Sequence, residues 1–119
     1  HNLHKDACQF VCDRDPDGRS VRTVEGQDFL AINGIQTLSN GVHVPGVSID
    51  RLADAGVTTL RLSPHAVDMI AVARLFKSFT SNAIDVGELN ARLRALSLPG
   101  PLVSGYLLGE PGSKVAKSA

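Results

Sequence analysis

Turn signals crowd the first third of the chain and leave room only for short strands between them. Asp13-Arg-Asp-Pro-Asp-Gly18 is a strong turn, with Pro16 presetting one dihedral and Gly18 allowing a positive φ. Gln9-Phe10-Val11 before that turn is β-prone, Val21-Arg-Thr-Val24 alternates as a strand should, and Glu25-Gly26-Gln27-Asp28 turns again, which predicts a β-hairpin. Phe29-Leu-Ala-Ile32 is continuously apolar, the habit of a strand covered on both faces in a parallel sheet, before Asn33-Gly34 breaks it and Ile35-Gln-Thr-Leu38 resumes.

Beyond the loop at 40–47 the pattern changes to helices. Ser48 is a candidate N-cap for a short helix bearing Ile49, Leu52 and Ala53 on one face and stopping at Gly56. Residues 57–62 are rich in β-branched side chains and read as a strand. Ser63 and Pro64 suit the cap and first position of a helix over 64–79 whose apolar residues spread around more than one side. Asp85 with Glu88 forms a capping box for a last helix through Leu89, Leu93 and Leu96, ended by Pro99-Gly100-Pro101. Gly105 to Gly112 reads as a loop anchored by Tyr106, and 113–119 as a disordered polar tail. Strand, helix, strand, helix gives an α/β class with an N-terminal β-hairpin.

A chain of 119 residues, 43% of them hydrophobic, can bury one core. Twelve basic and twelve acidic residues cancel, so no net charge draws it to nucleic acid or an anionic membrane. No apolar stretch reaches the roughly 20 residues of a transmembrane segment. The chain reads as soluble, and its histidine start with chemistry crowded against that end reads as a fragment.

The only cysteines are Cys8 and Cys12, in Cys-Gln-Phe-Val-Cys beside the first turn. Two clustered thiols suit a soft metal but cannot alone complete a tetrahedral thiolate site, and small buried packing residues are the competing reading. His1, His4, Cys8 and Cys12 would share a face on a continuous helix and could hold zinc, although Phe10, Val11 and the turn argue against that helix. Ser63-Pro64-His65 with Asp68 admits a catalytic reading, His65 as base and Asp68 orienting it, against the simpler one of helix capping. The amides of Asn33 and Gln36 either hydrogen-bond the hairpin or line a site.

Residues 8–18, then Gly26-Gln-Asp-Phe-Leu-Ala-Ile-Asn-Gly-Ile-Gln-Thr-Leu-Ser39, then Leu60-Arg-Leu-Ser-Pro-His65 with Asp68-Met69, and finally Gly105-Tyr106, carry a resemblance to the C-terminal part of UbiV (YhbV)-type members of the peptidase U32 family. The likeness covers most of residues 8–112, and Asn-Gly-Ile-Gln-Thr and Arg-Leu-Ser-Pro are its specific parts. It implies that residues 1–112 are the C-terminal βα portion of a barrel-like U32 fold. It further implies a cytoplasmic iron–sulfur protein, an accessory or catalytic subunit in oxygen-independent ubiquinone ring hydroxylation. The implied partners are a UbiU-type U32 protein in a heterodimer and an SCP2-like lipid-binding accessory protein. The family's [4Fe-4S] cluster sits on four cysteines, of which the last two match Cys8 and Cys12. The other two ligands have no counterpart in this chain. Peptidase activity, the namesake of the wider family, is the alternative the resemblance carries, and a structural interaction module with inert cysteines is the other reading.

Overall fold

The computed structural model describes residues 7–9 and 11–116, in two compact units, His1–Asn40 and Gly41–Ala119. In the first, a 3-10 turn at Val11–Arg14 precedes β1 (Arg19–Arg22), β2 (Asp28–Asn33) and β3 (Gln36–Ser39). They form one antiparallel sheet in the order β1-β2-β3. Each link has the turn chemistry its geometry requires. Between β1 and β2, Thr23 and Gln27 close a three-residue loop: Thr23 N donates to Gln27 O at 2.8 Å, Gly26 N to Thr23 O at 2.9 Å, and Gly26 takes φ 81°. That is the turn-plus-bulge hairpin, where a left-handed residue must follow the turn. Between β2 and β3 only Gly34 and Ile35 intervene, and Gly34 alone has positive φ (58°), as the II′ pattern requires.

The hairpin read from the sequence is therefore present, with its first strand at Arg19–Arg22 rather than 21–24 so that Val24 falls in the turn, but the expected parallel setting of Phe29-Leu-Ala-Ile32 is not. These residues lie in the central strand of an antiparallel sheet, with Phe29 59% and Ile32 40% exposed. A two-residue link permits only antiparallel pairing, because a parallel neighbour needs a crossover of a dozen or more residues. Among the described residues of this unit none is buried.

The second unit holds the core. β4 (Val42–His43) pairs in parallel with β5 (Leu102–Val103), and α1 (Ile49–Asp54), α2 (Met69–Thr80) and α3 (Val86–Arg94) fill the crossover between them. Val103 also bridges Val115 in antiparallel sense, and Ala116 beyond it is buried. Phe79, Leu89 and Leu93, with Val44, Leu52, Val72 and Leu102, form the buried cluster. Full burial of each such side chain stabilises by about 1.5–3 kcal/mol. The mixed α/β class read from the sequence holds. Among the described residues no helix is long and apolar enough to cross a membrane.

Local capping explains the helix starts. Ser48 Oγ accepts from Arg51 N as expected, and Asp85 Oδ1 accepts from Glu88 N at 2.8 Å, one half of the expected capping box, while the Glu88 carboxylate pairs with Arg92. Two expectations fail between them. Residues 57–62 form no strand; Leu60 and Leu62 pack against the core from irregular backbone. The following helix begins at Met69, not Pro64, because Asp68 Oδ1 accepts from both Ile70 N and Ala71 N at 3.0 Å. Its core-facing side is a single stripe, with Val72 and Phe79 buried and Met69, Leu75 and Phe76 partly so, and Ile70 is exposed, rather than a surface packed on several sides. The Phe76 and Phe79 rings meet edge to face, centroids 6.4 Å apart. Asn82, closing α2, donates to Asp50 of α1 at 2.9 Å. Tyr106 is largely exposed, its ring lying over Gly112.

Candidate functional site

Cys8 and Cys12 are both exposed and form no disulfide. Cys12 lies in the 3-10 turn Val11–Arg14, whereas Cys8 lies in irregular backbone, so no continuous α-helix carries the two. The zinc reading needed that helix. His1 and His4 lie outside the described residues, and among the described residues no three His, Cys, Asp or Glu side chains are grouped to hold a metal ion. Exposure also removes the reading of both cysteines as buried packing residues.

The turn after Cys12 is built onto the sheet. Cys12 O accepts from Asp15 N at 3.3 Å, and Asp15 O accepts from Gly18 N at 2.8 Å. Asn33 Nδ2, from the end of β2, donates to Asp15 O at 3.1 Å and approaches Pro16 O at 3.4 Å. Next to Asn33, Gly34 faces the thiol: a Cβ at Gly34 would stand 2.9 Å from Cys12 Sγ. Asn33 is thus the clamp between hairpin and turn, one of the two roles open to it in the sequence, while Gln36 pairs opposite Asn33 and is exposed. The sulfur thus lies beside the tip of the β2-β3 hairpin, on a residue that is exposed.

The Ser63, His65 and Asp68 constellation resolves differently. Asp68 takes the capping role expected of Ser63, and Ser63 is exposed in irregular backbone. His65 is half-buried, and the strand expected over 57–62 just before it is missing.

Two features of the second unit escaped the sequence reading. Asn90, on the apolar side of α3 beside Leu89 and Leu93, is 4% exposed and its Oδ1 lacks a hydrogen-bond partner. Its position four residues after Val86 and three before Leu93 was the available signal, an amide on a helical core face. An open concavity of about 210 Å³ runs past Arg94, Leu98, Pro101 and Val115. Arg94 donates to Ala116 O at 2.6 Å there, tying the last described residue to α3.

No protein-family model matches the chain, and no solved structure matches it at a significant level.

Proposed function

We propose that this chain supplies two thiolate ligands, Cys8 and Cys12, to a [4Fe-4S] cluster in a UbiV-type member of the peptidase U32 family. The protein then acts with a UbiU-type partner in oxygen-independent ring hydroxylation of a ubiquinone precursor, within a barrel-like fold completed by sequence outside these residues. The observation that carries the reading is the meeting of its two cysteine-proximal sequence blocks. The block with both thiols, residues 8–18, and the block with Asn33-Gly34, residues 26–39, are separate in sequence and are joined by hydrogen bonds from Asn33 to the turn after Cys12, with a cysteine sulfur at the junction.

Cys8 and Cys12 fit the group as half of its ligand set. Both are reduced and exposed, and they lie beside a turn rather than inside a rigid helix. Such a cluster needs four cysteine ligands, so two must come from outside this chain. When bound, it supplies one-electron transfer. The residues of this chain bind it and, through the hairpin tip, limit water on one side of Cys12.

The reading is tested by the iron and acid-labile sulfide content of the full-length protein purified without oxygen. About four irons per chain, lost in Cys8→Ala and in Cys12→Ala, is the expected result. Full iron retention in both variants would falsify it.

A further inference from the structure

The two cysteines are close in sequence, yet the structure treats Cys12 in a particular way. Its carbonyl is tied to Asp15, whose own carbonyl is held by Asn33 of β2, and its sulfur sits where a side chain at position 34 would project. We propose that the Asn33-Gly34 hairpin tip is a positioning element for the Cys12 thiol: Asn33 fixes the turn that carries the cysteine, and the missing side chain of Gly34 makes the seat for its sulfur. This concerns the thiol itself and stands whether or not iron binds.

Two properties of Gly34 separate here. It has φ 58°, which any β-turn of this kind demands, and it faces Cys12 Sγ. Gly26 in the preceding hairpin shares the first property, with φ 81°, but a Cβ there would meet nothing within 4 Å. The 2.9 Å between a Cβ at position 34 and the sulfur is well inside the roughly 3.5–4.0 Å at which non-bonded atoms settle. A side chain at position 34 therefore drives the sulfur off its seat and toward solvent, and the tip no longer covers one side of it. A side chain at position 26 strains a turn and leaves the thiol alone.

The test is the iodoacetamide alkylation rate of each thiol in the metal-free 119-residue chain, read separately in Cys8→Ser and Cys12→Ser backgrounds. In the Cys8→Ser background, Gly34→Ala is expected to speed alkylation of Cys12 by about threefold or more, since thiol reactivity follows access. Gly34→Asn keeps the Cβ but tolerates positive φ, so it reports the same displacement if the alanine variant does not fold. Gly26→Ala leaves Cys12 at its parent rate, and in the Cys12→Ser background none of the three changes Cys8. An unchanged Cys12 rate in both Gly34 variants overturns the proposal. So does an equal rise in Gly26→Ala, or at Cys8, because general loosening of the unit would then account for it.

Discussion

The side-chain amide of Asn33 donates to the backbone carbonyl of Asp15, eighteen residues earlier, at 3.1 Å. This bond joins the end of β2 to the turn that follows Cys12, and Pro16 O lies 3.4 Å from the same nitrogen. In a unit whose described residues include no buried one, directional bonds of this kind carry an unusual share of the structure.

Removing that amide with Asn33→Ala deletes the donor while leaving the hairpin turn intact. One neutral hydrogen bond is worth about 0.5–1.5 kcal/mol, so the first unit is expected to lose about 1 kcal/mol. Amide hydrogen exchange at Gly18, whose N–H donates to the same Asp15 carbonyl, reads the loss locally. Undiminished protection of Gly18 in the variant contradicts the clamp.

The start of α2 is decided by a comparison of two caps. Asp68→Ala strips two backbone N–H groups of their acceptor and is expected to cost about 1 kcal/mol, within the 0.5–2 range of such substitutions. Ser63→Ala, at an exposed residue outside the helix, is expected to stay within about 0.5 kcal/mol of the parent. Urea denaturation of the two variants checks this; the reverse order of effects returns the cap to Ser63.

Two phenylalanines, one in each unit, behave oppositely. Phe79 is 1% exposed at the centre of the second unit's core, and Phe79→Ala is expected to cost about 3–5 kcal/mol. Phe29 is 59% exposed on the antiparallel sheet, so Phe29→Ala costs about 1 kcal/mol or less. Thermal melts followed by circular dichroism distinguish them, and similar destabilisation by both would mean that the sheet face is covered.

Glu25, in the turn between β1 and β2, has its carboxyl held below the ordinary value of 4.5, first by its own backbone N–H and then by the Thr23 hydroxyl. The folded value is lower than the unfolded one, so the contribution to stability is complete above about 4.5 and is lost as pH falls through the lowered folded value. Thr23→Ala is expected to raise the Glu25 pKa partway toward its ordinary value, leaving the larger backbone contribution. An NMR titration of the Glu25 carboxyl measures this, and a pKa that does not move in the variant removes Thr23 as a cause.

What could be read from the sequence was local. The turns at Glu25-Gly26 and Asn33-Gly34, the caps at Ser48 and Asp85, and the stop at Gly56 each depend on groups a few residues apart, so the residues that make the structure are also adjacent in the text. The exposed pair Cys8 and Cys12 stood out for the same reason, and the α/β class followed from the spacing of such signals.

Tertiary structure decided what local signals left in competition. Ser63 and Asp68 are both sound caps, and the helix uses Asp68. Residues 57–62 have the composition of a strand, but a strand forms only where a partner offers its ladder, and here Leu60 and Leu62 join the core of the second unit instead. An apolar run such as Phe29-Leu-Ala-Ile32 records how little polarity a strand carries, not which way its neighbours run; the short turn on its C-terminal side made them antiparallel. The same holds for the thiol: its spacing from Cys8 is written in the chain, but its seat against Gly34 and the bond from Asn33 to Asp15 exist only once the sheet has folded back over the turn, because contacts between distant residues depend on geometry that no local pattern contains.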